Sequence, residues 1–590
     1  MTASLDLGVH NLRSAYRAGT LDCRTVVDEV LKRIAAAGDD RVWISRAPDA
    51  ALHAQAAALD ARRGEIEKLP LYGVPFAVKD NIDVAGLATT AACPGYAYEP
   101  QISAEVVKRL VDAGAIVIGK TNLDQFATGL VGVRSPYGVP RNPFDASFIP
   151  GGSSSGSAVA VSSGLVSFSL GTDTAGSGRV PAGFNNIVGL KPTPGLISNV
   201  GVVPACASLD CVSIFALSSS DAAEVFRTVA GPQMGADFTA GYTFGVPRQP
   251  EFFGDAAYAA LYDKAIRKMR DMGGTAVEFD YTPFLDAAQL LYNGPWVAER
   301  TAAVGDFIDK ADDKAGVWPV TRQIVQGGRK YTAIDAFRGQ YRLKALQAEA
   351  YEQMRQCHFL ALPTAPTIYK VADLTREPVL YNSHLGHYTN FVNFFRMCAL
   401  ALPAGFRPDG LPFGITLVAE GQFDNMLLEF GARWQRAVPL LLGKTASELP
   451  PIDADPRTEE PRIEIAVVGA HMSGLPLNGQ LTDLRGRFVC ADETAPQYRL
   501  YALPSGPPQR PGMVRVAEGG ASIALEVWSL PSWAFGNFVS GIPAPLSIGT
   551  IELADGRTVQ GFLCEAYAAK SAKDITSLGG WRAYVKSLAV

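Results

Sequence analysis

No run in this 590-residue chain is apolar for long enough to cross a membrane. The longest, such as residues 397–406, fall well short of the ~18 residues a span needs. Basic charge is not in excess either: 53 Lys and Arg face 58 Asp and Glu, for a formal net charge of −5. That balance leaves no basic face for nucleic acid, and no basic amphipathic stretch marks a membrane surface. The opening residues, MTASLDLGVHNLRSAYRAGT, contain no apolar signal core, so the expectation is a cytoplasmic protein. Histidine is scarce: there are six, and only His384 and His387 are neighbours. The eight cysteines are scattered, with no CxxC or Cys/His cluster at zinc spacing. They read as reduced, mostly buried thiols, and neither a metal nor a cofactor is expected.

What is present is ordinary globular balance, 48% hydrophobic and 19% charged, at a length that predicts two to four domains. One boundary is plain. Residues 445–462, TASELPPIDADPRTEEPR, hold four prolines and five acids in 18 residues, a composition that cannot form a core. The domains are therefore placed at 1–447 and 463–590, with a linker at 448–462. In the first, Val26, Val27, Val30, Leu31 and Ile34 recur at helical spacing. Val106, Val107, Leu110 and Val111 repeat the pattern, end at Gly114 and run into an apolar strand at 115–118. Residues 70–78 read as a buried strand entering a turn. Helix followed by strand, repeated, predicts an α/β fold with a sheet covered by helices. In the second domain, strand-like runs at 463–469, 522–528 and 548–553 between Gly/Pro-rich turns predict a mostly β or α+β module.

Glycine is in surplus, 58 residues or roughly a tenth against an average of ~7%. Part of the surplus is concentrated in residues 151–183, GGSSSGSAVAVSSGLVSFSLGTDTAGSGRVPAG. This block has eight Gly, nine Ser and two charges, Asp173 and Arg179. A flexible linker would not contain the apolar, β-rich stretches 158–161 and 165–170. So uncharged a segment is buried, and its hydroxyls must find partners. Within it, Gly152-Ser153-Ser154-Ser155-Gly156 fits the G-x-S-x-G elbow that would make Ser154 a nucleophile. That motif requires a preceding strand and a histidine. Residues 141–146 are turn-like, and the candidate histidines, His384 and His387, look to be in loops.

The block instead resembles the amidase signature family over more than thirty residues: GGSSSGS, then GTDTAGSGRVPAG, then Gly189-Leu190-Lys191-Pro192-Thr193. The family's upstream lysine matches Lys79 in Gly73-Val74-Pro75-Phe76-Ala77-Val78-Lys79-Asp80, and its serine spacing matches 177 − 153 = 24. The resemblance implies a Ser-cisSer-Lys triad of Lys79, Ser153 and Ser177 on a mixed central sheet, and the residue types suit the chemistry. A serine hydroxyl needs a base, and a lysine can serve when burial lowers its pKa. Thr174, Ala175 and Gly176 offer backbone amides for an oxyanion, and Asp173 reads as an acceptor holding that loop.

Three further stretches, residues 290–305, 361–367 and 388–393, resemble allophanate hydrolases, as does the layout of an amidase domain followed by a C-terminal domain of this size. The resemblance implies that Tyr292 and Arg300 bind a small anionic amide. On one regular helix those two would lie ~12 Å apart, although Gly294-Pro295 could break it. Without the resemblance, Arg300 would be read as a helix-surface residue paired with Glu299 or Asp306. The C-terminal domain resembles a γ-glutamyl cyclotransferase shape, with His471 as the matching histidine, either catalytic or structural, and Glu565 as a weaker candidate. The family further implies a homodimer and a functional link to urea carboxylase. Three other readings stay open: a general small-amide amidase, an amidotransferase-type subunit, and a non-catalytic scaffold.

Overall fold

The computed structural model describes residues 5–231, 241–449, 462–484, 486–504 and 507–588. Most of the expected linker, 450–461, lies outside them. The chain forms two compact units, residues 1–451 and 452–590.

The first unit is built on an eleven-stranded mixed sheet. Its strands in chain order are β1 (Trp43–Arg46), β2 (Pro75–Lys79), β3 (Ile116–Thr121), β4 (Phe168–Asp173), β5 (Val188–Lys191), β6 (Cys211–Ala216), β7 (Tyr242–Pro247), β8 (Gly274–Phe279), β9 (Phe359–Pro363), β10 (Cys398–Phe406) and β11 (Pro412–Ala419). Their spatial order is β1-β3-β2-β4-β6-β5-β10-β11-β9-β7-β8. Strand β2 runs parallel to both β3 and β4, whereas β4, β6, β5, β10, β11 and β9 alternate antiparallel. This is the α/β fold with a mixed, helix-covered sheet that the helix–strand alternation predicts.

Local chemistry explains the elements. The helix Cys23–Ala37 starts where the Asp22 carboxylate accepts from the Thr25 amide, and it buries Val26, Val27, Val30 and Ile34. The helix Glu105–Asp112 buries Val106, Val107 and Leu110. The chain then turns at Gly114, whose φ of 97° suits glycine and whose missing Cβ would sit 2.9 Å from the Tyr72 Cα. One expectation is corrected. Residues 158–161 read as β-rich but lie in a helix, Ser155–Ser162, that is buried on every side. A helix with no exposed face has no amphipathic period, so its small and β-branched residues mimic a buried strand.

The second unit is smaller and β-rich. It contains β12 (Arg462–Val467), β13 (Arg487–Glu493), β14 (Tyr498–Ala502), β15 (Pro511–Arg515), β16 (Ala524–Pro531), β17 (Leu546–Glu552), β18 (Thr558–Cys564) and β19 (Lys573–Asp574), with short helices between them. A five-stranded sheet, β13-β16-β12-β18-β17, lies beside a three-stranded one, β15-β14-β19. The strand-like runs read near 463, 522 and 548 correspond to β12, β16 and β17. Among the described residues no helix is long and apolar enough to cross a membrane, and no His/Cys/Asp/Glu group could hold a metal ion.

Candidate active site

Strand β2 is buried along its whole length, and it ends on Lys79, whose side chain has no solvent exposure. The Lys79 Nζ donates to Ser153 Oγ at 2.8 Å and to Thr172 Oγ1 at 2.7 Å. Burial pushes this amine down to about 7, against the pull of the Asp124, Asp210 and Asp173 charges. A lysine at that value exchanges its proton near neutrality, which an exposed lysine does not.

Ser153 follows a cis peptide bond from Gly152. The segment is fixed on both sides: Gly152 N donates to Leu130 O at 2.8 Å, and Asp124 N donates to Ser153 O at 3.0 Å. Ser154 faces away, its Oγ donating to the Thr172 carbonyl at 3.1 Å. It precedes the helix Ser155–Ser162 with no strand before it, so the nucleophile-elbow geometry is absent. His384 lies in the helix Leu380–Leu385 and not in a loop. It bonds the Tyr369 hydroxyl at 2.6 Å, and neither it nor His387 hydrogen-bonds Ser154.

Ser177 stands in the loop after β4. Its Oγ donates to the Gly129 carbonyl at 3.5 Å, a long contact, and no hydrogen bond joins it to Ser153. The loop is clamped by Asp173, which accepts from Gly176 N at 2.9 Å, Gly178 N at 3.0 Å, and Arg179 Nε and Nη2, both at 2.9 Å. Burial pushes the Asp173 carboxyl up, but Arg179 and these donors outweigh it and hold the group below its ordinary value. The Gly176 amide is therefore committed to Asp173. Of the loop amides expected to hold an oxyanion, those of Thr174 and Ala175, with that of Ser177, carry no internal hydrogen bond among the described residues. Thr389 Oγ1 donates to Ala175 O at 2.6 Å, and Thr174 Oγ1 to Asp210 at 2.5 Å, fixing the loop from two more sides.

Tyr292 and Arg300 do not share a helix. The helix Thr282–Asn293 ends at Gly294, and a second one, Val297–Lys310, carries Arg300. The break brings the guanidinium to 5.7 Å from the Tyr292 ring centre. Arg300 is 2% exposed and has no carboxylate partner among the described residues. Its Nη1 donates to Thr128 Oγ1 at 3.1 Å and Ala127 O at 3.5 Å, while its buried Nε has no partner. The helix-surface pairing is thus wrong: Glu299 accepts from Ser208 N and Oγ at 2.7 and 2.8 Å, and Arg329 approaches Asp306. Tyr292 also lines a cavity of about 700 Å³ with Tyr281, His387 and Asn390.

Sequence reasoning missed Thr172, Asn81, Asp124 and Thr128. One signal was available: the mostly polar stretch 120–125 continues an apolar strand, its Lys120 and Thr121 forming the end of β3. Its Asp124 proves fully buried, accepting from the amides of Val131, Gly132 and Arg134.

In the second unit, His471 lines a cavity of about 340 Å³ with Gln480, Asp483 and Arg510. Its Nε2 lies 2.9 Å from Gln480 Oε1, its ring stacks on Phe562 at 5.0 Å, and burial lowers its pKa. The Arg510 Nε is buried without a partner. Glu565 is exposed and outside that cavity, which removes the weaker candidate.

The helix-covered mixed sheet and its buried lysine–serine pair define the class, an amidohydrolase. The comparisons narrow it: the amidase family model matches residues 25–428, and the allophanate hydrolase C-terminal domain matches residues 463–586. The chain belongs to the amidase family. It is 45% identical over 581 residues to the urea amidolyase of Saccharomyces cerevisiae, covering 93% of this chain and 31% of that protein. The chain thus spans about a third of the length of the curated urea amidolyases it matches. Kluyveromyces lactis allophanate hydrolase superposes with a TM-score of 0.79 at 40% identity, covering 99% of this chain and 100% of that one. A glutamyl-tRNA(Gln) amidotransferase chain of Symbiobacterium thermophilum is 35% identical over 480 residues, 73% of this chain and 96% of that one.

Proposed function

We propose that this chain hydrolyses allophanate, urea carrying a carboxylate on one nitrogen, with Lys79, Ser153 and Ser177 as the working residues. Neutral Lys79 takes a proton through Ser153 as the Ser177 oxygen attacks the terminal amide carbonyl. The oxyanion is held by loop amides among Thr174, Ala175 and Ser177. The same relay returns the proton to the leaving nitrogen, ammonia departs, and water cleaves the acyl-enzyme to N-carboxycarbamate. That product ends as carbon dioxide and ammonia.

The observation that carries the substrate assignment is Arg300: a buried guanidinium facing Tyr292, with Nε unpartnered and no carboxylate at ion-pair distance among the described residues, the Asp210 and Glu299 charges acting on it only from further off. A buried N–H donor left without an acceptor is costly unless a ligand supplies one, and a guanidinium matches a planar carboxylate with two parallel bonds. A general amidase has no use for it. The Symbiobacterium amidotransferase chain matches 73% of this chain, which leaves the second unit unaccounted for.

The reading extends to a homodimer in the cytoplasm, fed by a urea carboxylase, and to His471 acting on N-carboxycarbamate in the second unit. Its support is the likeness to urea amidolyases and the His471–Arg510 cavity. Steady-state kinetics on allophanate, malonamate, biuret and glutamine test the substrate. Ser177→Ala should abolish ammonia release from allophanate, and retained turnover would overturn the assignment. His471→Asn should slow carbon dioxide release and spare the first ammonia; equal rates of both would make the histidine structural.

A further inference from the structure

Arg300 has five N–H donors in a fixed fork, and only part of the fork is available. Nη1 is held by Thr128 Oγ1 at 3.1 Å and Ala127 O at 3.5 Å. That leaves the side edge, Nε with Nη2, as the pair of parallel donors, and Nε is the buried atom without a partner. The edge that remains is one of the two that can grip a carboxylate in a bidentate fashion.

Thr128 is well placed to choose that edge. It is 1% exposed, and its own hydroxyl proton goes to Phe126 O at 3.2 Å, so its lone pairs are turned to the guanidinium. The backbone around it is held in an unfavourable shape. Phe126 and Ala127 have φ of 50° and 52°, left-handed values that non-glycine residues seldom adopt and that persist where surrounding structure imposes them. Arg134 Nη1 fixes the Thr128 carbonyl at 2.8 Å, and the Asp124 carboxylate fixes the amides that follow. The next residue, Gly129, supplies the carbonyl contacted by Ser177. Three consecutive residues thus touch the anion-binding arginine and the proposed nucleophile.

We propose that Thr128 is a positioning residue for substrate selection: by occupying Nη1 it turns the Nε edge of Arg300 toward the substrate carboxylate, and so sets the preference for anionic over neutral amides. This rests on the carboxylate-binding reading of Arg300 given above.

The test compares malonamate, a stable anionic amide, with neutral malonamide on the full-length protein. Thr128→Val keeps the volume and removes the oxygen. A hydrogen bond to a charged group predicts a fall of about tenfold in malonamate kcat/KM, carried by KM. Malonamide kcat/KM should fall much less, so that the malonamate-to-malonamide ratio drops, and the malonamide turnover that remains reports that the site is folded. Thr128→Ser should keep the wild-type ratio. Thr128→Ala removes the same oxygen with less bulk, and the ratio is read on it as well. A ratio unchanged in both the Val and Ala variants, or an equal fall on both amides, would overturn the proposal. Arg300→Gln separates the two readings. If it leaves the ratio unchanged, the carboxylate reading itself fails. If it collapses the ratio while T128V and T128A do not, only the role of Thr128 fails.

Discussion

The amine of Lys79 and the hydroxyl of Ser153 lie 2.8 Å apart with both side chains fully buried, a lysine–serine contact that water does not reach. Because burial brings the amine to about 7, its neutral form dominates above that pH and its charged form below. In the proposed mechanism Lys79 is the base and must be neutral to act, so kcat/KM for malonamate should rise with pH, with an acid limb centred near 7. Lys79→Arg keeps the charge and cannot deprotonate in this range. It should abolish turnover across the whole neutral range, which a pH–rate profile checks. A surviving acid limb in that variant would assign the titration elsewhere.

Thr172 holds the other side of the same amine. Its Oγ1 accepts from Lys79 Nζ at 2.7 Å and from Asn81 Nδ2 at 3.3 Å. Thr172→Val removes an acceptor that serves the charged amine more than the neutral one. The acid limb should therefore move to lower pH, while kcat falls about tenfold because the amine is no longer aimed at Ser153. Thr172→Ser should restore both. Parallel pH profiles of the two variants distinguish this from a general loss of folding, which would lower the rate without moving the limb.

These contacts show what the linear pattern can and cannot carry. Lys79, at the end of an apolar run, and the uncharged serine block announce burial, because unpaired charge and hydroxyls are expensive inside a protein. Val26, Val27, Val30 and Ile34 announce a helix by their period. The helix Ser155–Ser162 escapes the same test because burial on all faces erases its period. By spacing alone Arg300 reads as a surface residue, and only the resemblance points to a binding role, since helical spacing says nothing about which side a neighbouring loop will cover. The turn that covers it contains Phe126 and Ala127 in left-handed conformations, which no residue preference forecasts. Thr128 and Thr172 act through single oxygens brought in from distant strands and turns, and threonine is too common to flag them.

The buried ion pair behind the Ser177 loop should be a stability determinant as well as a scaffold. Asp173 and Arg179 are both without exposure, and the carboxylate also takes two loop amides. Asp173→Asn leaves the Arg179 charge buried and uncompensated, which costs about 3–5 kcal/mol. We expect a clear drop in the melting temperature and loss of activity together. A variant that melts like the wild type yet is inactive would instead give Asp173 a direct chemical role.

The last prediction contrasts two glycines. A Cβ on Gly152 would lie 2.2 Å from Asp124 Oδ2, 2.5 Å from Gly132 N and 3.0 Å from Val131 N. Those atoms are themselves hydrogen-bonded, Asp124 Oδ2 accepting from Gly132 N at 2.9 Å and from Val131 N at 3.1 Å. Its other oxygen is tied to Arg134 N at 2.9 Å, so the carboxylate cannot swing away. Gly152→Ala must break at least one of these buried bonds, at about 1–3 kcal/mol each, and displace Ser153 from Lys79. Gly327, at the end of the helix Pro319–Gly327, has nothing within 4 Å of its ideal Cβ. Gly327→Ala should be neutral or stabilise by up to about 1 kcal/mol through helix preference. Thermal melts and malonamate turnover of the two variants, measured side by side, should separate them: both fall in G152A, while G327A keeps its turnover and melts at or above the wild-type temperature. An active, fully stable G152A protein would show that the Asp124 turn can yield, and with it that the path from Lys79 through Ser153 tolerates movement.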